Sequence, residues 1–402
     1  MNTRYLSIST ASLLVLLFQC WSCQPPDKKA SPDPGFKMRP ASETGLQFDN
    51  NLQPTVDLNI FDYMYFYNGG GVAVADFNKD GYLDLYFTGN QVANALYLNN
   101  GNLTFRDVTA ASKTGGNGGW CTGATVTDIN NDGWPDLYIN QVGDFRKLKG
   151  HNLLYVWKSL TPDGIPVYEE ESAAYGLDVV GFGTQAGFFD YDNDGDLDLF
   201  QLNHSVHLNG TFGPRKQFEG TFHPLAGDRL FMNDNGKFVD VTSTSGILST
   251  AVGYGLGVAF SDINQDGWTD IYVTNDFHEN DYLYINQQNG IFKESLNDMI
   301  RHTSRYSMGV DMADINNDGY DDIVTLDMHP DDPYILKSSL GEDDYGEFKF
   351  KLTYGYNYQY ARNNLQLNNR DNTFSEIGYY AGVYASDWSW AALFFDFDND
   401  GY

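Results

Sequence analysis

From about residue 41 onward the chain alternates short apolar runs with polar turns, and no long stretch repeats its apolar residues at helical spacing. Within the runs, apolar positions alternate with small or polar ones, which is the period of a strand with one buried face. Four kinds of run recur in a fixed order. The first is glycine-rich, as at residues 70–75, 255–260 and 308–313, and its small side chains suit a crowded innermost position around an axis. The second follows at 83–87, 136–139, 198–200, 270–273 and 322–324, and the third at 95–98, 153–155, 229–232, 282–285 and 364–367. A turn such as Asn100-Gly101, Asn235-Gly236 or Asn289-Gly290 then leads to a fourth run, at 104–108, 237–241, 291–294 or 373–377. Asn-Gly between alternating runs is a strong hairpin signal, so the third and fourth runs are expected to pair as antiparallel strands.

Between the first and second runs stands an acidic loop, clearest in Asp190-Tyr-Asp192-Asn-Asp194-Gly195-Asp196-Leu-Asp198. Its oxygen-bearing side chains fall at loop positions 1, 3, 5 and 9, and position 7 can add a backbone carbonyl, a pattern of hard ligands that suits calcium. Gly195 at position 6 allows the sharp turn around an ion. The same spacing recurs as Asp76/Asn78/Asp80/Asp84, Asp128/Asn130/Asp132/Asp136, Asp262/Asn264/Asp266/Asp270, Asp314/Asn316/Asp318/Asp322 and Asp396/Asp398/Asp400. One such loop could be an ordinary solvated hairpin. Six with glycine at position 6 every time predict five complete Ca²⁺ sites and an incomplete sixth.

The loops begin 52, 62, 72, 52 and 82 residues apart, so the basic unit is near 52 residues, with insertions in three of them. That period and the four-strand parse predict an all-β fold, a β-propeller of four-stranded blades. At this point the chain resembles the FG-GAP or VCBS-type repeats of integrin α-subunit propellers, and more closely the bacterial ASPIC/UnbV-type lipoproteins related to cartilage acidic protein. The resemblance covers residues 41–402 and rests on the six loops, on Phe238-Val-Asp-Val-Thr-Ser and its relatives, and on the segment from His329-Pro-Asp-Asp to Tyr354-Gly-Tyr-Asn-Tyr-Gln-Tyr. It implies a propeller, most often seven-bladed, with calcium on one face and ligands on the other; it implies no common ligand or reaction. Ser42-Glu-Thr-Gly45-Leu46 aligns with Ser243-Thr-Ser-Gly246-Ile247, the segment after a fourth run, so the chain is expected to enter at the close of a blade. Its last residues fall inside the sixth loop, and the sequence reads as C-terminally truncated.

The balance of 24 basic against 54 acidic residues gives a net charge of −30, which disfavours nucleic acid and anionic membranes as partners. Residues 1–23 carry Arg4 and then an apolar stretch from Leu6 to Phe18, an export signal too short to span a bilayer comfortably. Its end, Cys20-Trp-Ser-Cys23, resembles a bacterial lipobox with Cys23 as the lipidated residue, although Cys20 stands where leucine is usual. A lipid anchor at the bacterial surface or outer membrane is the expected membrane attachment, and the proline- and charge-rich residues 24–40 read as a tether. Cys121 is left as a buried thiol.

With calcium loops on one face, the connections between second and third strands must emerge on the other, and all three insertions are expected there. His204, His207, Asp276, His278, Glu279 and His329 lie in these connections and are the candidate ligand-face residues. Trimming residues 331–360 is accordingly expected to spare stability. The leading reading is an exported binding, adhesion or scaffolding module for an extracellular protein or glycan. The alternative is a calcium-dependent carbohydrate-active enzyme, for which these histidines and Glu279 would have to supply an acid and a base; their spacing matches no catalytic motif. Trp120, Trp388 and Trp390 are read as inner-strand core residues rather than a sugar platform.

Overall fold

A computed structural model describes residues 36–205, 213–339 and 341–397. The expected export signal at residues 1–23, including Cys20 and Cys23, most of the tether, His207, Asp398 and Asp400 lie outside the described residues. The chain divides into two compact units. One comprises Met1–Pro40 with Asp396–Gly401, where the rings of Phe36 and Phe397 meet at 5.2 Å. The other, Ala41–Phe395, contains every described strand.

Five four-stranded antiparallel sheets form the blades, each in simple up-and-down order. Blade I is β1 (Val72–Ala75), β2 (Asp84–Phe87), β3 (Ala95–Asn99) and β4 (Phe105–Asp107). Blade II is β5 (Trp120–Thr127), β6 (Asp136–Val142), β7 (Leu153–Leu160) and β8 (Pro166–Glu170). Blade III is β9 (Gly183–Phe189), β10 (Asp198–Asn203), β11 (Arg229–Asn233) and β12 (Phe238–Asp240). Blade IV is β13 (Gly255–Ser261), β14 (Asp270–Asn275), β15 (Tyr282–Asn286) and β16 (Phe292–Glu294). In blade V a parallel pair, β17 (Thr303–Ser304) with β20 (Gln359–Tyr360), accompanies β18 (Gly309–Ala313), β19 (Asp322–Leu326), β21 (Asn364–Asn368) and β22 (Phe374–Glu376). This is the blade architecture of a β-propeller. The fourfold parse of each unit holds, and part of blade II's extra length lies in its long β7–β8 hairpin rather than in the second-to-third connection.

The first strands β1, β5, β9, β13 and β18 stand side by side in chain order. Their small residues are a steric requirement: a Cβ on Gly123 would lie 2.5 Å from the Thr184 carbonyl of the next blade. Threonines complete the seam, since Thr122 Oγ1 donates to Gly183 O (2.8 Å) and Thr184 Oγ1 to Gly255 O (2.9 Å). Apolar cores fill the spaces between successive blades, such as Tyr86, Leu96, Leu137 and Tyr168 between I and II, and Phe200, Leu230, Ile271 and Tyr284 between III and IV.

After each fourth strand comes a single helical turn. Gly45, Gly176 and Gly246 close three of these turns at φ near +80°, and each tucks under the carbonyl of Phe105, Phe238 or Phe292 in the following blade's outer strand. The alignment of residues 42–46 with 243–247 is thus a structural equivalence. Beyond it the chain does something the repeat pattern did not indicate. Residues 52–66 cross the mouth of the axis on the face opposite the acidic loops, where Tyr63, Tyr65 and Phe66 pack with Trp120, Phe182 and Tyr254. Trp120 is buried as expected; Trp388 and Trp390, at 57% and 39% exposed and outside any strand, are not.

Candidate functional site

All five described acidic loops fold alike. The position-1 carboxylate grips the loop from within: Asp76 Oδ1 accepts from the Asp80 N–H at 3.0 Å and Oδ2 from the Gly81 N–H at 2.8 Å, and Asp128, Asp190, Asp262 and Asp314 repeat both bonds. In the third loop, one oxygen from each of Asp190, Asp192 and Asp194 lies within 4.8 Å of the others. Two Ca–O bonds of about 2.3–2.6 Å cover that span. Asp192 Oδ1 is buried with no hydrogen-bond partner, and burial followed by the charge of Asp194 pushes the Asp192 and Asp196 carboxyls up. A hard divalent cation would satisfy the oxygen and relieve the repulsion, so these residues fit calcium.

The other four loops, which carry asparagine at position 3, are arranged differently there. Among the described residues, three acidic side chains converge in this way only in the third loop. Asn78, Asn130 and Asn264 are each turned onto the position-5 residue of their own loop. Asn78 Nδ2 donates to the Asp80 carboxylate at 2.9 Å while its Oδ1 accepts from the Asp80 N–H at 3.1 Å. Asn130 makes the same pair of bonds with Asp132, both at 3.0 Å, and Asn264 makes them with Asp266 at 3.1 and 3.0 Å. The amide oxygen expected to face an ion is thereby committed to the backbone, and a neutral amide, not a third carboxylate, stands beside Asp80, Asp132 and Asp266. In the fifth loop Asn316 gives Asp318 a side-chain hydrogen bond as well, second to a bond from Arg370, and Arg370 followed by the loop amides holds the Asp318 carboxyl below its ordinary range. An asparagine neutralises no repulsion, so loops I, II, IV and V can fold without an ion more readily than loop III can.

The position-9 aspartates have a second task that the loop spacing does not reveal. Each is buried, and each joins its loop to the third strand. Asp84 Oδ2 accepts from the Phe77 N–H (2.9 Å) while Oδ1 accepts from the Asn99 N–H (2.8 Å). Asp136, Asp198, Asp270 and Asp322 do the same with Trp157, Asn233, Asn286 and Asn368. Burial raises Asp84 and Asp136 to about 6, and Asp198 and Asp270 to about 7. Four of the five partners are asparagines, and this recurrence at the end of the third strand was readable in the sequence. In blades IV and V the asparagine also reaches back one blade: Asn286 Nδ2 donates to Tyr191 O (2.8 Å) and Asn368 Nδ2 to Ile263 O (3.1 Å). Replacing Asn286 with alanine should strand the buried Tyr191 carbonyl, while leaving the backbone bond to Asp270 in place, and destabilise the chain by about 1–3 kcal/mol. A urea melt showing no loss would rule out a stabilising role for this link between blades.

On the opposite face a second staple closes every connection between second and third strands. Asn94, Asn152, Asp228, Asp281 and Asn363 accept the N–H of Gly89, Gln141, Asn203, Asn275 and Asp327 at 2.8–2.9 Å. The connection can therefore lengthen without disturbing the strands at its ends. Of the described candidate ligand-face residues, His204, Asp276, His278 and Glu279 are buried and His329 is half-buried. His204 is 1% exposed, enclosed by Tyr63, Tyr65 and Phe182, with Nε2 3.1 Å from the Tyr63 hydroxyl, and burial lowers it to about 4. Burial and then the charges of Lys351 and Arg305 bring His278 to about 4. Burial lifts Asp276 to about 7 and raises Glu279, which is paired with Arg215 at 2.8 Å. His329 Nδ1 lies 2.7 Å from Ala361 O. Among the described residues, the cavity beside Arg215 and Glu279 is about 30 Å³.

The insertions themselves are built into the fold. Arg215, from blade III's insertion, crosses blade IV to Glu279; its N–H donates to Tyr354 O of blade V's insertion (2.8 Å), and Tyr356 Oη returns a bond to Gly213 O (2.8 Å). After α1 (Pro333–Ser338), helix α2 (Tyr345–Thr353) is tied down by a buried ion cluster in which Asp343, its side chain 3% exposed, pairs with both Arg305 and Lys351 of α2. Residues 331–360 are consequently not a dispensable loop, contrary to the expectation from length variation alone.

Comparison with known sequences places this repeat. The family described as FG-GAP-like repeat matches residues 76–139 and 262–325, each stretch running from one acidic loop into the second strand after the next. These two stretches are FG-GAP-like repeats. The chain is also similar to cartilage acidic protein 1 of Mus musculus and of Homo sapiens, each 31% identical over 144 residues, which are 35% of this chain and 21% of the relative. The chain thus spans about a fifth of the length of the curated relatives it matches. A chain of the Photorhabdus luminescens Tc holotoxin pore aligns with 81% of this chain and 12% of its own length at 17% identity and a TM-score of 0.33, too low to support any argument.

The acidic loops are also linked sideways. Position 4 of each loop is left-handed, with φ between +56° and +60° at Lys79, Asn131, Asn193, Gln265 and Asn317, and this throws the side chain outward. Asn193 Nδ2 donates to Gly267 O of the next loop (3.1 Å), Gln265 donates to Gly319 O, and Lys79 lies over the Trp134 ring at 4.3 Å. Trp134 in turn stacks on Trp157 at 4.1 Å. One face of the protein is therefore a regular, interlocked array.

Proposed function

We propose that this protein is an exported, calcium-stabilised propeller that captures an extracellular protein or glycan on the face bearing its insertions. The division of labour between the two faces carries the reading. The acidic loops repeat the same bonds from the position-1 carboxylate, which marks them as scaffold, whereas the opposite face differs in every blade and displays apolar side chains to solvent. Tyr334, Tyr345, Phe350 and Tyr358 project from blade V's insertion, and Val56 and Phe61 from the segment crossing the axis. Exposed aromatics of this kind mark binding surfaces more often than they occur by chance on a solvated loop. Calcium would be held by Asp190, Asp192, Asp194 and Asp198, supplying fixed positive charge where the chain gathers its own negative charge. In the other loops the equivalent oxygens would hold it once the amides of Asn78, Asn130, Asn264 and Asn316 release the position-5 residue. The apolar stretch at residues 6–18 would direct export, with Cys23 as the lipid attachment point; no helix among the described residues is long and apolar enough to cross a membrane.

Glycan and protein arrays probed in calcium buffer separate the two faces. The double substitution Tyr345→Ser with Phe350→Ser should lower capture at least tenfold and leave the calcium-dependent melt in place, whereas Asp266→Ala should lower the melt first. Capture that survives the double substitution but follows the acidic loops would reverse the assignment of faces.

A further inference from the structure

Among the described loops, only in the fifth does a cation pair with the position-5 carboxylate. Arg370, in the turn after β21, places Nε 3.0 Å and a terminal nitrogen 2.8 Å from Oδ2 of Asp318, the position-5 carboxylate. The arrangement is anchored at its root. The Arg370 N–H donates to Asn368 Oδ1 (3.0 Å), and the Asn368 N–H donates to Asp322 Oδ1 (2.8 Å), so the turn bearing the guanidinium is fixed to position 9 of the same loop. The guanidinium also lies 5.9 Å from the ring of Tyr320 at position 7.

The corresponding turns elsewhere supply internal controls. In blade IV the same bond from the turn N–H is made by Gln288, whose neutral Nε2 reaches Asp266 Oδ2 at 3.2 Å, and in blade I it is made by Gly101, which has no side chain to offer. In loops I and II the side chain that meets the position-5 carboxylate is the neutral amide of Asn78 or Asn130. A guanidinium on a carboxylate forms a strong charge-assisted pair, and a fixed positive charge there opposes an incoming divalent cation. The third loop stands at the other extreme, with aspartate at positions 1, 3, 5, 7 and 9. Ligand charge is a main determinant of calcium affinity in such loops.

We infer that Arg370 is an affinity-setting residue: by occupying Asp318 it makes the fifth loop the weakest of the five described cation sites and keeps that loop neutralised when calcium is scarce. The inference rests on the calcium reading proposed above. It implies graded filling, with the third loop loading first and the fifth last, rather than five equivalent sites.

The test is a calcium titration of the chelator-treated full chain, by calorimetry and by competition with a fluorescent chelator, using calcium ion alone as the probe. Arg370→Gln, which copies the residue of blade IV, should tighten the weakest class of sites about tenfold, the size expected when a unit charge a few ångströms from a divalent cation in a water-exposed loop is removed. The reciprocal Gln288→Arg should weaken one further site by a similar factor, and it guards against a folding defect in the first variant. Calcium uptake with an unchanged or weakened last class in Arg370→Gln overturns the role of Arg370 and leaves the calcium reading standing. No calcium uptake by the parent chain at all overturns both.

Discussion

Replacing Asp343 with alanine is expected to cost about 3–5 kcal/mol of stability, the usual consequence of removing one partner from a buried ion cluster. The Arg305 and Lys351 side chains are 9% and 3% exposed, and both lean on Asp343. Without it two buried cations would face each other, and His278, which already feels both, stands beside them. Glu347 is a poor substitute, since it reaches Arg305 only at 3.8 Å and is 41% exposed. The loss should appear in two measurements: a lower urea midpoint, and faster protease cleavage within residues 331–360 as the cap lifts from blade V. Asp343→Asn, which preserves shape and some hydrogen bonding, should lose less. A midpoint unchanged in Asp343→Ala would mean that the insertion is an appendage after all.

Chelation of calcium should produce the other large effect. In millimolar calcium, a site of about 0.1 mM affinity contributes about 1.4 kcal/mol, and five such loops together would move the melting temperature by about 10 °C or more. Removal of the ion also restores repulsion among carboxylates that share a loop, most severely among Asp190, Asp192, Asp194 and Asp196. Magnesium should recover little of the loss, because it demands a smaller, more regular octahedron and gives up water reluctantly. A differential scan in which EDTA leaves the melt where it was would refute the calcium assignment. The hydrogen bonds within each loop would then be sufficient by themselves.

Strands and loops were legible in the sequence because both are written in local spacing. Alternation located the strands of the blades except β8 of blade II, which follows a longer hairpin, and the position-6 glycines, at φ from +84° to +95° in the five described loops, located the turns. What spacing could not show is the direction in which a position-3 side chain turns: Asn130 and Asp192 occupy the same place in their loops, yet the amide closes on Asp132 while the carboxylate keeps a buried oxygen without a partner. The staples were half legible: an asparagine recurs at the end of the third strand, yet its bond to the position-9 carboxylate joins residues 15 to 46 apart and shows in no short window. The cap was not legible. Its decisive contacts run from Arg215 to Glu279 and Tyr354, and length variation alone suggested a free loop. His204 and Glu279 were picked out as polar groups near a channel mouth; the burial of His204 depends on aromatic side chains from residues 63–66 that precede the first complete blade. The run Tyr63-Met-Tyr65-Phe66, too apolar for a tether or linker, was the available signal for that plug.

Repeat proteins of this kind are nearly one-dimensional, each unit answering only to its neighbours. The bridge from blade III's insertion to blade V's abolishes that independence locally. Blade IV is held from both flanks and from above, so it cannot open unless the bridge opens with it, and residues 213–215 and 354–356 close a chain loop of well over a hundred residues. Such closure costs chain entropy and is slow to form. Blades III to V thus constitute a cooperative block within an otherwise modular array, and sequence drift in either insertion is constrained by the other even though neither repeats the other's residues.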